Sequence, residues 1–286
     1  MKFVKRLAAL TACLLAFTLV LTGCSIITSI LGPKYETLEE CFADPEIKEQ
    51  VDAEVESAIA DSGLSDMYSN VEARAEDNVL IYDYTYADAI TFTDECQRRA
   101  WYNTFIDEIE PSRSQFEEIA ADLDESLNLE GITVQLIYRN TDGTELMAYD
   151  YANPPAKQYY ADIAECVSDP AVAQRLVDEF GFDQFTGTAT GEGNTLIYNL
   201  TFNEQWLEPG YTVDDAAVDL AAFCEDNMSA FTIDFDELRA VVDADPIAIR
   251  YAFFDIDGTP LYVHEFTDTA GTITSNGEAV SVNAAA

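Results

Sequence analysis

The apolar positions of this chain recur with two periods, and the same succession of periods occurs twice. Ile47, Val51, Val55 and Ile59 recur every fourth residue, which predicts an amphipathic helix. Asp44-Pro45 stands just before it. An aspartate there caps free helical N–H groups, and a proline at the first helical position has no N–H to leave unsatisfied. Farther on, Leu80, Tyr82, Tyr84 and Tyr86 alternate with Asp83 and Thr85, so one side of a strand is buried and the other is wet. Trp101, Phe105 and Ile109, then Phe116, Ile119, Leu123 and Leu127, predict two further helical segments, and a hairpin around Asp142-Gly143 closes the series. The second pass starts at Asp169-Pro170 and carries its alternating strand at Leu196, Tyr198, Leu200 and Phe202. Val213, Ala217, Leu220, Cys224 and Met228, then Phe235 and Leu238, supply its helical stripes, and Asp257-Gly258 centres its last hairpin.

Direct residue matches support the repeat. Glu40-Cys41-Phe42-Ala43-Asp44-Pro45 corresponds to Glu165-Cys166-Val167-Ser168-Asp169-Pro170, Asn78 to Tyr86 corresponds to Asn194 to Phe202, and Asp142-Gly143-Thr144 corresponds to Asp257-Gly258-Thr259. Three matches in one order define two copies of one unit, 37–152 and 158–267. Residues 153–157 contain consecutive prolines and read as a linker. Each unit has the order α-β-β-α-α-β-β, without the strand–helix alternation that builds parallel sheets. The expectation is an α+β domain: a four-stranded antiparallel sheet with helices packed on one face. Residues 268–286 are small and polar and read as a disordered tail.

Composition narrows the setting. Hydrophobic residues make up 48% of the 286, too many for a disordered acidic chain, so packed cores are expected. The 54 acidic residues outnumber the 14 basic ones, for a formal net charge of -40. Such a surface repels phosphate backbones, which argues against a nucleic-acid partner. At the start, Lys2, Lys5 and Arg6 precede an apolar run from Leu7 to Leu21 that ends in Leu21-Thr22-Gly23-Cys24. The run is short for a spanning helix, which needs about 20 residues. This arrangement resembles the lipobox of bacterial lipoproteins. The resemblance implies that 1–23 is a removed signal peptide, that the Cys24 thiol is lipidated, and that 24–36 is a tether. The expected location is then the extracytoplasmic face of a cell membrane, held through the lipid.

Candidate chemistry is sparse. Cys41, Cys96, Cys166 and Cys224 remain after the leader, an even number suited to an oxidising compartment. The candidate pairings are Cys166–Cys224 and Cys41–Cys96, with buried free thiols as the alternative. No short paired cysteine spacing points to zinc, and no EF-hand run or Gly-rich phosphate loop occurs, so neither metal nor cofactor is expected. His264 is the single histidine. It falls at the position of Tyr149 in the first copy, inside the final strand, and is expected to face Tyr251 as a packing residue. The stretch Phe253-Phe254-Asp255-Ile256-Asp257-Gly258-Thr259 resembles the nucleophile loop of haloacid-dehalogenase-like phosphatases. The first copy has Asn140 where that nucleophile would stand, and no Lys or Arg follows Asp255. Both copies keep Asp-Gly, which suits a two-residue type I′ turn at Asp142-Gly143 and at Asp257-Gly258, with Pro260 opposite Asp255.

Thr37-Leu38-Glu39-Glu40 with Asp44-Pro45, Asn78 to Tyr86, Tyr138 to Thr144, and the matching second set Glu165 to Pro170, Asn194 to Phe202 and Phe253 to Thr259 carry a wider resemblance. Together they resemble a family of domains of unknown function found singly or in tandem in lipoproteins of Gram-positive, often gut-dwelling, bacteria. The family implies an envelope location and brings no activity. The expectation is a membrane-anchored binding or interaction module for a protein, peptide or cell-wall ligand, with no catalytic residues. The alternatives are an envelope hydrolase using Asp255 and His264, or a secreted inhibitor-like protein.

Overall fold

The computed structural model describes residues 35–181 and 183–279. The leader, Cys24, most of the tether and the last seven residues lie outside the described residues. The chain divides into two compact units. Among the described residues, one holds the chain up to Thr91 with Thr104–Lys157, and the other holds Phe92–Asn103 with the chain from Gln158 onward.

In the first sequence copy, α1 (Leu38–Phe42) leads into α2 (Pro45–Ser62), the 18-residue helix that the four-residue period predicts. The Asp44 side chain accepts the Glu46 N–H, Pro45 occupies the first turn, and Gly63 in the left-handed region ends the helix. Strands β1 (Tyr68–Glu76) and β2 (Val79–Tyr86) follow. Next come α3 (Glu95–Ile109) and α4 (Arg113–Leu127), then β3 (Thr133–Arg139) and β4 (Glu145–Asp150). The second unit repeats the order: α5 (Ile163–Val167), α6 (Pro170–Glu179), β5 (Phe185–Glu192), β6 (Thr195–Phe202), α7 (Val213–Asp226), α8 (Met228–Phe231), α9 (Phe235–Val241), β7 (Ile247–Phe254) and β8 (Pro260–Thr269). It ends with an additional strand, β9 (Thr272–Ala279).

The expected α+β units of strands and helices are present, with two corrections to the sheets. The orders are β1-β2-β3-β4 and β5-β6-β7-β8-β9, and the central pairs β2–β3 and β6–β7 are parallel. The sheets are therefore mixed rather than antiparallel. Two helices intervene between β2 and β3, and a crossover of that length carries the chain back to the end of the sheet where β2 began, so the next strand runs the same way. The second correction is β9. It pairs with β8 from Tyr262↔Ala279 to Thr269↔Thr272, within the region read as a tail. Its side chains through Glu278 are exposed, so no apolar stripe marks it in the sequence.

The core follows the alternation. Leu80, Tyr82, Tyr84 and Tyr86 are buried, as are Leu196, Tyr198, Leu200 and Phe202. The helical stripes pack likewise, through Trp101, Phe105, Ile109, Phe116 and Leu123 in one set and Ala217, Leu220, Cys224, Phe235 and Leu238 in the other. Met228 departs from its stripe: α7 stops at Asp226, a new short helix begins at Met228, and the side chain is exposed. Cross-strand aromatic pairs fill both sheets, with Tyr84 stacked on Tyr138 at 4.8 Å and Tyr198 on Tyr251 at 5.1 Å.

Candidate functional site

The motif that most resembled chemistry, Asp255 to Thr259, is a loop clamp. The Gly258 N–H donates to the Asp255 carbonyl and the Asp255 N–H donates to the Thr259 carbonyl, both at 2.8 Å. Gly258 has φ +84°, while Ile256 and Asp257 stay out of the positive-φ region. This is a type I turn followed by a left-handed glycine, not the expected type I′ turn. The first copy closes in the same way, with Asn140, Thr144 and Gly143 at φ +82°. Asp142 and Asp257 each accept the N–H of the threonine two residues on. A bulge then pairs Pro260 with Phe254 rather than with Asp255, and the register recovers at Phe253↔Tyr262. His264 accordingly faces Tyr251, as expected.

The Asp255 carboxylate is 2% exposed. Its Oδ1 accepts the backbone N–H groups of Trp206 and Ile256 at 2.8 Å, and its Oδ2 accepts Leu207 N–H at 3.2 Å. Asn140 performs the same service in the first copy. Its Oδ1 accepts Ile90 and Thr141 N–H, and its Nδ2 donates to the Ile90 carbonyl at 2.9 Å. Both side chains hold the loop that follows the alternating strand.

His264 is 2% exposed. Its Nδ1 lies 3.0 Å from the Tyr262 hydroxyl, its ring is 4.5 Å from that of Phe266, and its Nε2 is buried without a partner. Burial lowers its pKa, against a smaller opposing effect of Glu225. Gly277 pairs with it from β9, and a Cβ there would lie only 1.6 Å from the Tyr262 hydroxyl. No hydrogen bond joins His264 to Asp255, and the structure does not assemble them into one reacting pair.

The cysteines fall differently from the expected pairings. Cys41, Cys96, Cys166 and Cys224 are buried free thiols, so neither Cys166–Cys224 nor Cys41–Cys96 is joined. Burial and the neighbouring Asp44 push the Cys41 thiol up to about 11, and burial with Glu225 pushes Cys224 up to about 12. Cys166 instead meets Cys96, Sγ to Sγ at 3.1 Å. Both belong to the second unit, because residues 92–103 are counted with it. The pairing could not be read from the repeat, since Cys96 has no counterpart in the second copy.

Around these thiols lies a polar cluster that the sequence reading missed. Arg175 is 6% exposed. It donates from Nε to Asp94 Oδ2, which is itself almost fully buried, at 2.5 Å, and it also binds Glu179 and Glu237. Glu237 Oε1 is 3.3 Å from Cys96 Sγ. Asp94 caps α3 as well, accepting Gln97 N–H at 2.9 Å. Nearby, Asp234 accepts the Tyr198 hydroxyl at 2.6 Å. Burial pushes its carboxyl up to about 6, outweighing the lowering by Tyr198. The one available sequence signal was an arginine flanked by Val172 and Leu176 on the buried face of α6. Among the described residues no group of three or more His, Cys, Asp or Glu is placed to hold a metal ion, and no helix is long and apolar enough to cross a membrane.

Residues 38–151 and 163–266 match the model of the family described as Domain of unknown function (DUF4854), and the chain belongs to that family with two tandem copies. No curated protein matches it. Among solved structures, a sex pheromone precursor from Lactobacillus salivarius subsp. salivarius UCC118 is 8% identical over 73% of this chain and 68% of that one, with a TM-score of 0.22. The central domain of yeast acetyl-CoA carboxylase is also 8% identical, over 80% of this chain and 50% of that one, with a TM-score of 0.13. Superpositions this loose carry no argument about function.

Proposed function

We propose that the chain is a lipid-anchored extracytoplasmic lipoprotein whose two α+β units act as a binding or interaction module. The observation that carries the reading is the shared role of Asp255 and Asn140. A carboxylate in one copy and an amide in the other hold equivalent loops through the same Oδ1. What that position requires is a hydrogen-bond acceptor, not a nucleophile. His264, the other group a hydrolase would use, is packed against Phe266 and Tyr262. A general base works within about 3 Å of its substrate, and the 2% exposure of His264 supports a packing role for it. The anchor rests on Leu21-Thr22-Gly23-Cys24 behind the basic and apolar leader. Tandem acidic units on such a tether suit display of a recognition surface to a protein, a peptide or a cell-wall fragment.

The test has two parts. Purified chain is titrated with defined cell-wall fragments and peptides, and is run in parallel on ester, amide, glycoside and phosphate substrates. Saturable binding without turnover supports the module, whereas turnover abolished by Asp255→Asn replaces it with a hydrolase. Separately, a radiolabelled fatty acid is expected in the wild-type chain and not in Cys24→Ser, which should leave the membrane fraction. An unlabelled wild-type chain defeats the anchor.

A further inference from the structure

We infer that Cys96 and Cys166 form a native disulfide that staples residues 92–103 to the second unit. The inference concerns the fold and stands apart from the binding-module reading, but it rests on the proposed extracytoplasmic location, where disulfides persist. The two sulfurs approach to 3.1 Å, against about 2.05 Å in the bond itself, so small side-chain rotations close the gap. Both residues are essentially inaccessible, at 1% and 0% exposure. Both also sit on short-range anchors. Cys96 lies in the first turn of α3, which Asp94 caps, and Cys166 lies in α5, which Asp162 caps. Independent polar contacts hold the same segment at the same place. Arg175 binds Asp94, the Asn103 amide donates to the carbonyls of Gln158 and Ala240, and Arg99 donates to the carbonyl of Tyr159. The thiols are therefore brought together by the surrounding structure rather than by a chance rotamer.

The chemistry balances with a low-molecular-weight disulfide as oxidant. The Cys96 thiol gives up its proton to water while the segment is still open to solvent, and its sulfur attacks the external disulfide to release one thiol. The Cys166 sulfur then attacks the mixed disulfide at Cys96 and releases the second thiol. Two protein thiols become one disulfide, and the two electrons leave on two small thiols. The hydrogen bond with Cys166, followed by burial, pushes the Cys96 thiol far above its ordinary range. The folded reduced chain is thus a poor thiolate donor. The bond forms while the segment is still docking, and once buried it is shielded from reductants.

The test uses the full chain in detergent, unfolded under reducing conditions, refolded in a mixture of oxidised and reduced glutathione, alkylated and digested with trypsin. Cleavage after Arg74, Arg98, Lys157 and Arg175 isolates Cys96 in peptide 75–98 and Cys166 in peptide 158–175. The expected product is these two peptides joined, two hydrogen masses below their sum and separated by reductant. The inference is overturned if both cysteines are recovered alkylated. It is equally overturned if Cys166 is found joined to Cys224 in peptide 176–239, or Cys96 to Cys41. A second readout needs no variant to fold: the refolded oxidised chain should melt several degrees above the same sample after reduction in denaturant, because the bond closes a span of 70 residues. Cys224→Ser should keep that difference and Cys96→Ser should abolish it. Equal melting of the oxidised and reduced wild-type chains counts against the staple.

Discussion

Asp255 and Asn140 show how one oxygen atom decides a substitution. Asp255→Asn keeps an Oδ1 acceptor for Trp206 and Ile256, as Asn140 does for Ile90 and Thr141, and should change stability by less than about 1 kcal/mol. Asp255→Ala leaves buried N–H groups unsatisfied and should cost about 2–4 kcal/mol in a denaturant titration. A large loss for Asn as well would mean that the charge matters after all. Asp234 gives a pH signature. Its carboxyl is raised from 3.8 in the unfolded chain to about 6 when folded, so folding takes up a proton between those values. Its contribution is fully present below pH 3.8 and is lost as pH rises through 6, a change of about 2–3 kcal/mol. In Asp234→Asn that decline between pH 4 and 7 should flatten, because the amide cannot ionise. Thermal melts across this range test it, and an unchanged slope would remove Asp234 as the source.

At the scale of elements, the legible features were those written in local periodicity and local caps. The α2 stripe, the Asp–Pro helix starts and the alternating strands all depend on neighbours within a few residues, and the structure carries them where the sequence put them. The parallel β2–β3 and β6–β7 pairs were hidden because strand direction follows from the path of the helical crossover, which no strand residue encodes. The turn type was misjudged for a related reason: Asp-Gly suits type I′, but only the glycine takes positive φ here. Close approach of elements is equally silent in sequence. A Cβ on Gly191 would lie 2.5 Å from the Ala164 Cα in α5, whereas its counterpart in the first copy is Ala75. Gly191→Ala should therefore push β5 from α5 and cost about 1–3 kcal/mol, while Ala75→Gly should cost no more than about 1 kcal/mol. Equal effects at the two sites would show that α5 yields freely.

For the whole molecule, the repeat was legible because three matched segments preserve order, and the family match covers both copies. The compact units are not the repeats, however. Residues 92–103 belong to the first copy by sequence and to the second unit by contact. Nothing in their composition announces this, because their attachments come from partners far along the chain. Asp94 meets Arg175, Cys96 meets Cys166, and Asn103 meets Gln158 and Ala240. A fragment cut at the sequence boundary, 158–286, loses all of them. Removing one member of a buried ion pair costs about 3–5 kcal/mol, and the lower end applies here because Arg175 keeps Glu179 and Glu237. The Asn103 contacts add to that loss, since Gln158 N–H and the Ala240 carbonyl are left without their partner. Against a domain stability of about 5–15 kcal/mol, the fragment should melt far below the unit in the intact chain, or without cooperativity. Restoring 92–103 ahead of residue 158 through a short flexible linker should recover a cooperative melt, because Asn103 and Gln158 are hydrogen-bonded neighbours at 2.7 Å and little chain is needed to join them. If 158–286 alone melted like the unit in the intact chain, the segment would be a passenger and the repeat boundary would also be the folding boundary.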